Sequence, residues 1–553
     1  MAKRLVENLK YFFIEHQLFF LISAIFLLIS LFIFGSGLAS QGDNFVYTGI
    51  TTLTPGDYNV YYSYIQQVKS GQWLFKDLFT SESHQASFFN LFFWSNGLLA
   101  KFFNLAPVWA LFLYKMLLIP LGVWVVYLLV GLFVSKGLTR NLTLGLAFFG
   151  SGCGFLLYGL INYLPTYQGG LGYYNIPMDL WVPEFSFFTS LIHLPHQILS
   201  FSFLLLTFYF FLLAETRQKI VWSLGAGLSA LILIQSHPFY LVTVLAVLGS
   251  YLLIQTLRLK KIYWFGLKNF FVIIILCSPA VIYWLWLMKV DWLVQIRNFQ
   301  NVLPTTIWYL TLASYFPWWL FASLGAWSLA RKSDKNTIEI FLLCWFIVGA
   351  VLIYSPVAFQ RRLVEGWWLP LVVLSVSYLR QATWLIKIIK FLRTNNWQIK
   401  VFCFLVGGLI ILSNLFIVGR HLEANLNHWD PVFILRPVDA AFSWLKNNTK
   451  AEAVILAGDL YGNFIPGWTN RTVYAGHGVE TVWFHQEKFW QVVWLLRTNN
   501  LDDKKAAWLR QNKINYLFYS DNEKAYGSFS PAQKDYLQLV YQNSAVSIYQ
   551  VIN

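Results

Sequence analysis

Charge is what this sequence has least of. Asp, Glu, Lys and Arg make up 12% of its 553 residues, against roughly 25% in a soluble domain. That shortage excludes a soluble enzyme and a disordered scaffold. Cysteine is scarce too: Cys153, Cys277, Cys344 and Cys403 all lie in apolar stretches. No disulfide framework or metal-spaced cysteine pair can be built from them, and they read as small core residues. No Gly-x-Gly-x-x-Gly follows a strand, so a dinucleotide site is not indicated. Internal repeats and low-complexity segments are also missing.

What the chain has in abundance is apolar surface: 57% of residues are hydrophobic and 19% aromatic, with a mean hydropathy of +0.54. The apolar residues come in runs of about 20, the length that crosses a bilayer as a helix. The expected fold is a polytopic α-helical membrane protein with about 11 transmembrane helices, in the range 11–13. Candidate spans are 18–36, 108–134, 141–161, 191–214, 219–236, 238–257, 266–288, 307–330, 337–354, 366–386 and 400–419. The apolar run that follows the basic N-terminus resembles a signal peptide but is long for one, and reads as an uncleaved first span. Segment 86–104 breaks the parity if it crosses. It is expected to be re-entrant or interface-lying, with an extra span as the alternative.

The net charge of +15 has a topological origin. From Arg420 onward 13 basic residues balance 12 acidic ones, whereas the first 419 residues hold 27 basic and 13 acidic. Nineteen of those 27 fall in the N-terminus and five short segments: Lys136/Arg140, Arg217/Lys219, Arg258 to Lys268, Arg331/Lys332/Lys335, and Arg380 to Lys400. Clustering in alternate loops is the positive-inside pattern. It places the N-terminus in the cytoplasm of a multi-pass protein of the cell membrane and points to membrane lipids, not nucleic acid, as the surroundings. The expected division is a transmembrane domain, 1–419, with outer loops 37–85 and 162–190, and a soluble extracytoplasmic α/β domain, 420–553. Within the latter, a helix at 437–447 precedes strands at 453–457, 472–474, 514–519, 538–542 and 545–551. Helices fall near 481–498 and 503–511, and a Gly/Pro/Asn loop lies between the first two strands.

Eight of the 13 acidic residues in the membrane part fall on the outer side. The positive-inside rule does not require this, so the outer face is expected to be the working face. Pro55-Gly56 makes a turn, Asp57 is a good N-cap, and an amphipathic helix runs to Gly71. Tyr58, Tyr61, Tyr62, Ile65 and Val68 share one face, expected to lie at headgroup depth. Asp57 is then either a helix cap or a carboxylate presented to a lipid-borne substrate. Glu82, in Thr80-Ser81-Glu82-Ser83-His84, is either a second acid or an ordinary loop residue. Asp179 and Glu184 lie in the next outer loop, before His193-Leu194-Pro195-His196. These two histidines lack a third metal ligand, and hydrogen bonding to a phosphate or sugar hydroxyl suits them better. Arg361 and Arg362 sit outside against the charge trend, fitting either bidentate phosphate binding or pairing with Glu365 and lipid headgroups.

Carboxylates and cations on one membrane face suit sugar transfer from a lipid phosphate. Such a donor leaves as an anion and needs no general acid. It needs a base for the acceptor hydroxyl and fixed positive charge at the phosphate. The Pro55-Gly56-Asp57-Tyr58 loop, its helix to Gly71, Glu82 before the next apolar run, the span count and the outward C-terminal domain resemble the GT-C superfamily. That superfamily includes the protein O-mannosyltransferases and lipid A aminoarabinose transferases. The resemblance implies a polyprenyl-phosphate sugar donor, inversion, Asp57 as base, and a second acid at Asp179 or Glu184. The acceptor it implies is a cell-envelope glycan, glycolipid or protein. Trp-Trp-Asp-Tyr-Gly is missing, which speaks against transfer of a preassembled oligosaccharide. No Lys-Pro-Pro follows Glu82, and no Glu adjoins Asp57, so donor headgroup and metal use stay open: a divalent metal is possible but not indicated. The competing class is a transporter or flippase of a lipid-linked or small polar substrate. It fits less well, because the polar residues sit in loops and no repeat is visible.

Overall fold

The computed structural model describes residues 12–163, 175–383, 385, 387 and 396–552. The basic start of the chain, residues 164–174 of the outer segment, and residues 384, 386 and 388–395 of the basic run from Arg380 to Lys400 lie outside the described residues. The protein is a multi-pass helical membrane protein with a small C-terminal sheet. By length and composition, seven described helical segments can cross a membrane: Gln17–Ser40, Pro107–Phe133, Leu138–Tyr158 (interrupted after Phe149), Pro195–Arg217, Tyr240–Leu259, Trp264–Val290 and Gly407–Leu426. The other four expected spans are also helical, but shorter. Val221–Ser236 and Thr337–Leu352 have 16 residues each, and Trp368–Gln381 has 14. The run 307–330 divides into Trp308–Tyr315 and Trp318–Arg331 around Pro317, which lacks the N–H that would continue the helix. Segment 86–104 forms the 12-residue helix Leu91–Phe102, capped by Asn90. At 1.5 Å per residue it is about 18 Å long, too short for the roughly 30 Å hydrocarbon core.

The chain forms two compact units, residues 1–33, 115–283 and 303–420, and residues 34–114, 284–302 and 421–553. In the first unit, helix Leu138–Phe149 stops at Gly150 and a short turn, Gly154–Tyr158, follows. Irregular backbone amid apolar helices needs polar partners within the protein. Here Ser151 N donates to Ile410 O (2.7 Å), Trp318 Nε1 donates to Ser151 O (2.7 Å) and Asn414 Nδ2 to Phe149 O (2.8 Å). Glycine is required at 152, since a Cβ there would collide with Ser314 O.

The second unit contains two sheets. Strands β1 (Phe45–Tyr47) and β2 (Phe433–Leu435) pair antiparallel. Strands β3 (Val454–Leu456), β4 (Thr472–Val473), β5 (Tyr516–Ser520), β6 (Leu537–Gln542) and β7 (Val546–Val551) form a sheet in the order β4-β3-β5-β7-β6. The first three are parallel and the last two antiparallel. The expected strands and the helices Arg436–Asn448, Phe489–Arg497 and Asp502–Gln511 are all present. The expected Gly/Pro/Asn loop is instead helix Asp459–Thr469. Its glycines serve close packing: a Cβ on Gly462 would strike Ala475 O, and one on Gly467 would meet Asn59 O at 2.7 Å.

Helix Asp57–Lys69 forms as expected and ends at Gly71, whose φ is +96°. Gly56, not Asp57, takes the capping position, and no side chain caps the helix. Its aromatic face does not form a headgroup-depth surface. The helix packs against Leu91–Phe102 and Asp459–Thr469, which buries nine of its residues, Tyr58, Tyr62, Tyr64, Ile65 and Val68 among them. Each buried phenol finds an oxygen, as such groups generally must. Tyr58 OH lies 2.7 Å from Thr51 Oγ1, Tyr62 OH donates to Thr48 O (3.0 Å), and Tyr64 OH to Glu480 Oε2 (3.4 Å).

Candidate active site

The two units divide the expected site residues between them. Asp57 and Glu82 belong to the second unit; Asp179, Glu184, His193, His196, Arg361 and Arg362 belong to the first.

In the second unit, the carboxyl edge of the parallel strands receives the start of the Asp57 helix. Asn463 Nδ2 donates to Gly56 O (3.2 Å), Asn59 Nδ2 to Asn463 Oδ1 (2.8 Å), and Trp468 Nε1 to Asn59 Oδ1 (3.2 Å). The loop after β4 carries His477, whose Nε2 stands 3.4 Å from Asp57 Oδ1. The Asp57 side chain is 39% exposed, so its carboxylate can accept a proton from an incoming group.

Glu82 is engaged differently. It accepts hydrogen bonds from Thr80 Oγ1 and from Lys488 Nζ, which is 2.7 Å from Oε1. Lys488 also donates to Tyr474 O at 3.0 Å. Burial lowers the Lys488 pKa, while Glu82 acts in the opposite direction. Beside this pair lies a buried network that sequence reasoning did not find. Glu480 Oε2 meets Arg297 Nε at 2.7 Å, and Asp77 Oδ1 accepts from Phe79 N (2.8 Å) while its other oxygen has no hydrogen-bond partner among the described residues. Burial, and then the neighbouring Glu480, hold the Asp77 carboxyl well above the usual carboxylate range. This network draws on three distant stretches of sequence, so neither spacing nor periodicity signals it.

In the first unit, Asp179 is fully buried. Its Oδ2 accepts from Gly154 N (2.9 Å) and Ser413 Oγ (2.7 Å), and its Oδ1 has no hydrogen-bond partner among the described residues. Burial pushes its pKa up to about 6, against those two hydrogen bonds. Glu184 is buried as well and accepts from Gln197 Nε2 at 3.2 Å. Glu365 Oε2 accepts from Tyr240 OH (3.2 Å); burial, then the charge of Glu184, raise its pKa well above the ordinary value. The Arg361 guanidinium lies 4.7 Å from the centre of the Trp181 ring, and that of Arg362 lies 5.2 Å from the centre of the Phe239 ring. Arg361 Nε has no hydrogen-bond partner among the described residues. His193 ends helix Phe187–Ile192, and His196 stacks on His237 with ring centres 5.1 Å apart. Among the described residues no group of three or more His, Cys, Asp or Glu is arranged to hold a metal ion.

No family model and no curated protein matches the sequence, but solved structures match the fold. The archaeal oligosaccharyltransferase AglB from Archaeoglobus fulgidus, in complex with an inhibitory peptide and a dolichol-phosphate, aligns with a TM-score of 0.56 at 13% identity, over 92% of this chain and 70% of that one. ArnT from Cupriavidus metallidurans, bound to undecaprenyl phosphate, gives 0.53 at 11% identity over 95% and 97% of the two chains. The arabinofuranosyltransferase AftD from Mycobacteria gives 0.55 at 10% identity, over 97% of this chain and 40% of that one. The chain therefore shares the fold of these three proteins, the fold that the resemblance to the GT-C superfamily led us to expect.

Proposed function

We propose that this GT-C-fold membrane protein transfers a sugar from a polyprenyl-phosphate donor to an acceptor hydroxyl on the extracytoplasmic face. The reaction inverts the anomeric carbon and uses Asp57 as base. The fold supports the class of reaction, and two structures sharing it hold a dolichol-phosphate or undecaprenyl phosphate. Fold alone does not carry an activity. The observation that carries the reading is the state of the four candidate carboxylates. Glu82 is tied to a lysine, and Asp179 and Glu184 are buried, whereas Asp57 is substantially exposed and lies beside a histidine.

In the proposed reaction, Asp57 takes the proton of the acceptor hydroxyl as its oxygen bonds to the anomeric carbon. The bond from that carbon to the phosphate oxygen breaks, and the electron pair leaves with polyprenyl phosphate. Arg361 and Arg362 are assigned to the donor phosphate, with His193 and His196 as hydrogen-bonding partners. Guanidinium groups stabilise charge there without themselves transferring a proton. Asp57 then returns its proton to water.

The test is reconstitution of the full chain in liposomes with a panel of polyprenyl-phosphate sugars, reading release of free polyprenyl phosphate. Release from at least one donor, with membrane extract supplying the acceptor, is expected. No release from any donor under those conditions overturns the reading in favour of transport.

A further inference from the structure

The loop that follows β4 is built to hold one imidazole in one orientation. Thr481 Oγ1 accepts from Gly476 N and His477 N, both at 3.0 Å, and donates to Phe79 O at 2.6 Å. Thr481 N donates back to His477 O (2.9 Å). The imidazole Nδ1 accepts from two backbone groups, Val479 N at 3.2 Å and Glu480 N at 3.1 Å. A nitrogen that accepts carries no proton, so the neutral ring has its hydrogen on Nε2. That nitrogen is the one 3.4 Å from Asp57 Oδ1. The Phe79 ring packs edge-on at 5.9 Å, and Glu480, at the end of the loop, is fixed by Arg297.

From this geometry we infer that His477 is a positioning residue for Asp57. Its Nε2–H engages Oδ1 and leaves Oδ2 to receive the acceptor proton. The inference rests on the reading of Asp57 as the base, and extends it by giving the C-terminal α/β domain a part in the chemistry. A histidine usually serves as the base and an aspartate orients it; here the order is reversed, because the imidazole's acceptor nitrogen is already occupied by the backbone.

Two measurements on the full-length protein test the inference. In the donor-release assay, His477→Ala should lower kcat about 10- to 100-fold, the scale expected when a catalytic group is misplaced by about an ångström, and leave the donor KM unchanged. His477→Gln, whose side-chain amide reaches the place of Nε2–H, should recover most of that loss. The Ala effect should vanish in an Asp57→Asn background, since the pair then acts as one unit. The second measurement needs no donor. The His477 ring signals, assigned by their loss in His477→Gln, should report the Nε2–H tautomer in ¹⁵N-histidine spectra and shift on Asp57→Asn. Three results would overturn the inference: an Nδ1–H tautomer, a signal blind to Asp57→Asn, or a His477→Ala enzyme with wild-type kcat. A wild-type protein that releases no donor defeats the transferase reading instead, and the spectra still decide the pair.

Discussion

Lys488 Nζ stands 2.7 Å from Glu82 Oε1, with 5% of the lysine side chain exposed and 30% of the glutamate's. The two partners are therefore unequal. Removing the glutamate strands a buried ammonium, while removing the lysine leaves a carboxylate that water can reach. Glu82→Ala should destabilise the protein by about 1.5–3 kcal/mol, the range for a hydrogen bond to a charged group. Lys488→Met should lose less, because an apolar side chain of similar length removes the desolvation cost along with the pair. Thermal unfolding in detergent checks the ranking; equal losses would contradict it.

Asp179 predicts a pH dependence. Burial raises its carboxyl from the ordinary 3.8 to about 6, so the folded protein holds this proton more tightly than the unfolded chain does. Its stabilising contribution is complete below about pH 4 and is lost as the pH rises through about 6. The difference amounts to about 3 kcal/mol. Asp179→Asn cannot ionise, so it should flatten this part of the stability profile and gain most on the wild type above pH 7. Unfolding midpoints of the two proteins between pH 4.5 and 8 test this, and parallel curves would contradict it.

Gly467→Ala sets two effects against each other. Alanine in place of glycine favours a helix by about 1 kcal/mol, but the new Cβ would meet Asn59 O at 2.7 Å. Backbone cannot yield as a side-chain tip can, and overpacking costs about 1–3 kcal/mol. The variant should therefore be less stable than wild type, and slower as well, because Asn59 lies in the first turn of the Asp57 helix. A stabilised, fully active variant would refute the close contact.

Arg361→Ala should raise the donor KM about 10- to 100-fold, matching the 1.5–3 kcal/mol of a charge-assisted hydrogen bond. Arg361→Lys should recover only part, since an ammonium neither forks onto a phosphate nor stacks on Trp181 in the same way. An unchanged KM in both variants would assign Arg361 to packing alone.

Much of the fold was legible because membranes impose length: each expected apolar run is largely helical among the described residues, although 307–330 divides at Pro317 and 141–161 breaks after Phe149. The C-terminal strands were legible from short apolar runs between turn residues. Helix Asp459–Thr469 was not, since Gly462, Asn463, Pro466 and Gly467 read as a loop unless one knows that two of them must admit another backbone. The Asp57 helix was periodic enough to be found, yet periodicity does not say whether an aromatic face meets lipid or protein. Of the site, the residue types and loops were legible and the pairings were not. His477 lies in the loop after β4 and its partner is Asp57, far away in sequence, and Lys488 is 406 residues from Glu82.

The central claim is that Asp57 is the base, and the most direct measurement compares four substitutions in one donor-release assay: Asp57→Asn, Glu82→Gln, Asp179→Asn and Glu184→Gln. Loss of general-base catalysis lowers a rate about 100-fold or more. Asp57→Asn should show that loss in kcat, and the other three should stay within about tenfold of wild type. Wild-type turnover by Asp57→Asn, with the large loss falling on Asp179 or Glu184 instead, would contradict the account.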